Sequence, residues 1–472
     1  MMYTNRRGCA GSGRARGAEA LAVGAAICLA LAGCSLDELL GNDDLPPDVM
    51  APDAIETPEG ARAAYHAALV QFRRAFAQEP GGYVAVSGLL TDELEWGSYV
   101  EAGLGTPGMA DMRRASEGGT GEAGSIGSYT YSALQRARNQ AEQAAGLLGR
   151  HFPGGEPLAA HAYAVRAYTE ILLADLFCSG IPLSSLDPKE GFTYRPGSTT
   201  EEVYEHALAL LDTATTLVGD SARIEHLIRV GQGRALLALG RFDAAAHVVA
   251  GVPDDYRYEV VYGAQNGAQS FAALEGHGSE TWPYSVADRE GINGIDFITS
   301  GDPRTRVTTQ GTNVRGRTVH HPMKYGGDGS ARIPLASGIE ARLIEAEAAL
   351  RAGDVSGWLA KLNHLRRTAW PAIEPAVSGP LPDLDDPGTD AARVDLLFRE
   401  RAFWLFLTGQ RQGDLRRLLR HYGRTQDQLY PVGPYHHSRT PGLSYGAAVD
   451  LPVPAEERVS NPHYNGCIAR GA

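Results

Sequence analysis

Cysteine and tryptophan are scarce in this chain, five of each in 472 residues, and no two cysteines stand in the C-x-x-C spacing of a zinc site. No metal and no cofactor is therefore expected. Positive charge is also in deficit, with 43 Lys and Arg against 56 Asp and Glu for a net −13, which argues against nucleic acid as a partner. Long apolar runs are missing as well. The one near the N-terminus covers about residues 18 to 32, shorter than the ~20 apolar residues of a membrane-spanning helix.

That short run has another use. Arg6, Arg7, Arg14 and Arg16 precede it and Leu31-Ala32-Gly33-Cys34 closes it, the pattern of a bacterial leader that is cut before a cysteine and lipidated there. A plain secretory leader is the weaker reading, because no A-x-A site follows promptly. Cys34 is thus the expected lipidation site. Three acyl chains on such a cysteine exceed the two signals that stable anchoring needs. Asp37 and Glu38 follow, resembling the acidic signal that sends some lipoproteins to the outer leaflet. The leader carries four Arg and one Glu, so its loss lowers the net charge by three to −16 and leaves 439 residues. Of the cysteines, Cys178 and Cys467 then remain beside Cys34. A disulfide, a buried thiol and an exposed thiol are all open to them.

The expected organisation is a signal peptide at 1–33, an acidic proline-bearing tether at 34–56 and one large body at 57–472. Thr57-Pro58-Glu59 begins a helix, and Ala64, Ala68, Phe72 and Phe76 follow at four-residue spacing. Helical patterns recur at about 131–149, 157–178, 199–218, 224–250 and 390–422, with a glycine-rich loop at 97–127. Gly240 and Gly353 end helices that are followed at once by another helix. Ser337 and Glu340 have capping-box spacing ahead of the stripe Ile339, Leu343, Ala346, Leu350. These hairpins look tetratricopeptide-like but hold no continuous 34-residue register. Residues 251–330 show no helical period, only short possible strands at 296–299 and 317–319, and a loop of that length usually carries function. The predicted class is mainly α, a helix-pair scaffold at 57–250 and 331–423 around a variable, ligand-facing 251–330.

Several segments together resemble one family, the SusD/RagB-type outer-membrane nutrient-binding lipoproteins. The tail Pro452-Val-Pro454-Ala-Glu-Glu457-Arg-Val-Ser-Asn461-Pro462 is similar to that family's P-[IV]-P-x-x-E-x-x-x-N-P. Glu400-Arg401, Gly409, Arg411 and Asp414-Leu415-Arg416-Arg417 look like its long C-terminal helix, although Trp404 and Thr408 stand where glutamates are usual. Ile339 to Gly353, Asn363 and Arg366-Arg367 are similar to the helix pair before it, and Asp302-Pro303-Arg304 and Lys324-Tyr325 to its short central motifs. The resemblance implies four tetratricopeptide-like helix pairs and ligand-facing loops. It also implies surface location on the outer membrane, and a SusC-like TonB-dependent barrel that receives an oligosaccharide or oligopeptide from this protein.

Sugar recognition needs flat aromatic faces flanked by planar hydrogen-bonding groups. Trp358 and Trp404 lie in helical stripes and are expected in the core, whereas Trp96 and Trp282 lie in irregular chain. The candidate ligand-binding residues are therefore Trp96, Tyr99, Trp282, Tyr284, Arg289, Asn293 and Asp296. Enzyme motifs fail on context, and no catalytic residue is nominated. Gly442-Leu-Ser444-Tyr-Gly446 has neither the strand before it nor the helix after it that a nucleophile elbow needs. Asp383-Leu-Asp385-Asp386-Pro-Gly388 lacks the closing Glu of a calcium loop. A periplasmic, protein-binding scaffold is the alternative reading.

Overall fold

The computed structural model describes residues 55–78, 81–97, 107–114, 126–187, 191–263, 284–313, 317–325, 330–373, 375–435 and 442–471. Cys34 and the tether lie outside them. Pro58 costs no hydrogen bond in a first turn, and Thr57 Oγ1 accepts from the Gly60 amide at 3.0 Å, so α1 runs Pro58–Ala77. It is followed by α2 (Tyr83–Leu90), α3 (Pro107–Asp111), α4 (Ile126–His151), α5 (Glu156–Leu176), α6 (Thr200–Leu217), α7 (Ala222–Ala238) and α8 (Phe242–Val249). The C-terminal half adds α9 (Gly338–Arg351), α10 (Val355–Thr368), α11 (Asp390–Trp404), α12 (Arg411–Tyr422), α13 (Gln426–Leu429) and α14 (Ala455–Ser460). Helix α1 packs on α4, α5 on α6, α7 on α8 and α9 on α10, which makes four helix pairs. Gly240 (φ +73°) and Gly353 (φ +79°) turn the chain inside the last two pairs in the left-handed conformation that only glycine takes freely. Ser337 Oγ accepts from the Glu340 amide as its spacing predicts. Glu340 does not return the bond, because its carboxylate is held by Arg234 at 2.9 and 2.8 Å.

Among the described residues ten short strands lie between the helices: β1 (Leu94–Trp96), β2 (Ile181–Pro182), β3 (Ser185–Asp187), β4 (Gly191–Thr193), β5 (Gly197–Ser198), β6 (Arg257–Tyr262), β7 (Tyr284–Val286), β8 (Val307–Thr312), β9 (Thr318–Pro322) and β10 (Ala331–Ser337), which leads straight into α9. They pair antiparallel as β1–β7, β2–β5, β3–β4, β6–β10 and β8–β9. Three expectations are corrected here. Residues 331–337, placed in the helical scaffold, form a strand whose partner β6 alternates buried and half-buried residues. Residues 296–299 are turn rather than strand, since the Asp288 carboxylate accepts from the Ile298 and Thr299 amides and curls the chain.

The third correction is that 390–422 is two helices. Leu407 (φ +53°) and Gly409 (φ +80°) break it, and the break is held from outside. Glu93 Oε1 accepts from the Leu407 amide (2.8 Å), Lys324 Nζ donates to Phe406 O (2.8 Å) and Tyr325 OH to Leu407 O (2.8 Å). The central motifs therefore clamp this turn. Arg304 adds a bidentate pair to Glu400, and Arg411 one to Asp92. Trp358 and Trp404 are in the core as expected, packed with Leu343, Leu362, Phe398 and Leu415. The tail motif docks on the scaffold: Tyr131 OH donates to Glu457, and Asn461 Nδ2 donates to Arg195 O and Glu457 Oε1. Cys178 and Cys467 form a disulfide with Cα atoms 5.8 Å apart. Asp386 accepts from the Gly388 amide and from Arg393, an acidic turn. Among the described residues no cluster of three or more metal-binding side chains occurs, and no helix is long and apolar enough to cross a membrane.

His161 illustrates how tightly the first two helix pairs close. Its Nδ1 and Nε2 each sit 2.6 Å from a tyrosine hydroxyl, Tyr65 and Tyr258, and burial holds its pKa down to about 3. The folded state thus keeps His161 neutral, while the unfolded chain protonates near pH 6.5, so stability is full above that pH and is lost as pH falls toward 3. From 1.36 kcal/mol per pKa unit, this one group should cost roughly 3 kcal/mol by pH 4. Urea unfolding of wild type and His161→Asn across that range checks it, with a shallower pH slope expected in the variant. Parallel slopes would rule the histidine out.

Candidate functional site

Trp96 ends β1, and the β1–β7 register places it opposite Tyr284. The two rings meet edge to face, centroids 5.4 Å apart at 68°. Tyr284 is buried at 5% exposure and therefore supports the indole rather than offering a face of its own. Trp96 stays half-exposed. Its backbone amide donates to Asp111 Oδ2 (3.0 Å), and Tyr435 OH donates to the same oxygen (2.6 Å). Glu290 stands beside Asp111 and accepts from Tyr445 OH at 2.9 Å. Burial, reinforced by the Asp111 charge, keeps the Glu290 carboxyl well above the usual carboxylate range. Asp111, Glu290, Tyr435 and Tyr445 form a buried hydrogen-bonded layer. It fixes the backbone under the tryptophan.

On the other flank, β7 meets β9 where Ser285 Oγ accepts from the His320 amide (3.1 Å), and Arg317, partly exposed, lies 3.8 Å from the buried Glu95. The result is a partly exposed indole supported by a buried polar layer, with the Glu95–Arg317 pair on the opposite face of the strand. Such a surface can stack on an apolar sugar face.

The remaining nominated residues do not converge on this pair. Arg289, Asn293 and Asp296 belong to the turn after β7, and among the described residues none of them makes a hydrogen bond, ion pair or cation–π contact with Trp96 or Tyr284. Asn293 Nδ2 donates to Tyr430 O (2.8 Å) and Asp427 O (3.2 Å), so it ties the turn to the C-terminal end of α13. Asp296 pairs with Arg399 at 2.8 Å and lies 3.8 Å from Arg289. Arg289 has a 67% exposed side chain. Tyr99 and Trp282 lie outside the described residues. Asp111, Glu290, Tyr435, Tyr445 and Arg317 escaped the sequence reading. Tyr445 sits in the glycine-serine turn that only resembled an enzyme motif, and no spacing links it to Glu290 across 155 positions.

No profile of a known protein family matches the chain, and no curated protein matches it in sequence. Solved structures do. The chain is similar to a laminarin binding SusD-like protein, at 15% identity and TM-score 0.61 over 88% of this chain and 99% of that one. It is also similar to surface glycan-binding protein A from Bacteroides uniformis, at 13% identity and TM-score 0.60 over 87% and 99%. A SusD-like carbohydrate binding protein from Bacteroides vulgatus ATCC 8482 matches at 12% identity and TM-score 0.60 over 86% and 97%. At such identities the likeness speaks to architecture, and it covers 86–88% of this chain. This chain has the SusD-like fold.

Proposed function

We propose that this protein is a non-catalytic, lipid-anchored outer-membrane protein that binds an oligosaccharide at the cell surface and passes it to a TonB-dependent transporter. The observation that carries the binding role is the half-exposed Trp96, held by Tyr284 behind its ring and by Asp111 at its backbone. The solved structures of the same fold named for laminarin, glycan and carbohydrate binding support the ligand class. The leader ending at Cys34 supports the anchor, and a Cys178–Cys467 disulfide suits a chain exported from the reducing cytosol. Arg289, 67% exposed on the turn after β7, is the cation that an extended ligand would reach beyond the indole. Asn293 and Asp296, committed to protein partners, would shape the rim instead.

Titrating the purified domain against a glycan array, then by calorimetry with the best ligand, tests the site. Trp96→Ala should weaken binding by about tenfold or more, the ~1.4 kcal/mol expected for losing a central aromatic contact. Trp96→Phe should recover part of it. An unchanged affinity in a Trp96→Ala protein with a wild-type unfolding midpoint removes this site. Co-purification of a large β-barrel from detergent-solubilised membranes tests the partner.

A further inference from the structure

A cavity of about 40 Å³ lies beside the α11–α12 break, and none of the residues assigned to sugar binding lines it. Arg257, Lys324 and Arg304 line it, together with Ser337 and Glu340 at the N-terminus of α9 and Thr408 in the break itself. Three cations around one small space repel one another unless each is balanced, so their partners decide the local charge. Arg304 is balanced, held by both Asp302 and Glu400. Glu340 is spent on Arg234. Arg257 has one ion pair, a 3.3 Å contact to Glu259, which also lies 3.4 Å from Arg332. Lys324 has none: its ammonium donates to Phe406 O, and among the described residues no carboxylate stands within ion-pair distance.

Glu93, the acid whose charge acts on Lys324, does not offset this. Burial holds the Glu93 carboxyl up to about 8, so at neutral pH it is mostly uncharged. Burial and the Arg257 charge push the Lys324 ammonium down to about 7, the response expected where a counter-charge is missing. The α9 N-terminus adds its own partial positive charge. The space is well above the ~10–15 Å³ that a single water needs, enough for a halide or one carboxylate group.

We propose that this cavity is a binding site for a small monovalent anion, held between Lys324 and Arg257 at the N-terminus of α9. The same chemistry is offered by a free halide and by the carboxylate of an acidic sugar, and the two are separable. Bromide quadrupolar NMR on the intact domain is the test. Wild type should broaden the bromide line beyond a charge-matched control protein, and more at about pH 6 than about pH 9, because from pH 9 to pH 6 Lys324 gains its proton and Glu93 loses its negative charge. Arg257→Gln and Lys324→Met should each lose most of the excess width. Arg257 is partly exposed, so its variant answers the question even if Lys324→Met disturbs the clamped turn. Displacement of bromide by galacturonate but not by galactose assigns the site to a sugar carboxylate, and its persistence assigns it to a free halide. No excess broadening in wild type, or equal broadening in wild type and Arg257→Gln, overturns the proposal.

Discussion

Asp414→Ala should destabilise the domain by about 3–5 kcal/mol, the range for removing one partner from a buried ion network. Asp414 sits in the first turn of α12 and is almost fully buried. Its oxygens accept from Arg401 Nε (2.9 Å) and Nη2 (2.8 Å) and from Arg417 Nη2 (2.9 Å). Glu347 on α9 closes the cluster, accepting from Arg417 at 3.1 and 2.9 Å and from Tyr422 OH at 3.1 Å, with Arg401 3.7 Å away. Burial alone would raise the Asp414 carboxyl, but Arg401 and Arg417 outweigh it and hold it below its ordinary value. Its contribution is therefore present above the unfolded carboxylate pKa and is lost as pH falls through the folded one. In the alanine variant one remaining carboxylate, Glu347, must serve two buried guanidiniums. Urea denaturation at neutral pH measures the loss. An apolar Arg401→Met/Asp414→Leu pair should cost less than Asp414→Ala, because no charge is left stranded. A single-variant loss below about 1 kcal/mol would mean that water reaches the cluster.

Cutting the disulfide is the second large effect. Cys178 and Cys467 are 289 positions apart, and closing so long a loop lowers the entropy of the unfolded chain. The loop-closure estimate gives a ceiling of roughly 5–6 kcal/mol, and native disulfides commonly return about 2–5 kcal/mol. The bond also pins the end of the chain. Beside it, the Ile468 amide donates to Ser179 O (2.7 Å), Arg470 Nε to Asp450 (2.6 Å), and Arg416 Nη2 to Gly471 O (2.9 Å). Cys467→Ser should lower the urea midpoint and expose the segment after Asn461 to protease, while the helix pairs stay resistant. Reductant should reproduce the effect in wild type and leave the variant unchanged. A midpoint insensitive to both would show that the tail holds by its hydrogen bonds alone.

Much of the fold was legible in the sequence because its causes are local. Thr57-Pro58 and Ser337-Glu340 announce helix starts through the groups that satisfy orphan amides, and Gly240 and Gly353 announce helix ends through their freedom at positive φ. Trp358 and Trp404 were assigned to the core by helical spacing, and both are there. The break at Leu407 was not legible. A leucine carries no local preference for φ of +53°, and it is held there by Glu93, 314 positions away, and by Tyr325, 82 away. The site divides in the same way. An indole in irregular chain flags Trp96, but nothing near it reveals Asp111, Glu290 or Tyr445.

The sequence by itself determined the helix starts, the glycine helix ends and the buried tryptophans, since each depends on side-chain spacing within one or two turns. Tertiary structure alone decided which charges meet. The Arg401–Asp414–Glu347 cluster, the Trp96–Tyr284 pair and the unbalanced Lys324 each join elements far apart in the chain. The physical reason is that a charge or an aromatic ring takes its energy from whatever the fold places against it, and that neighbour is fixed only when the elements pack.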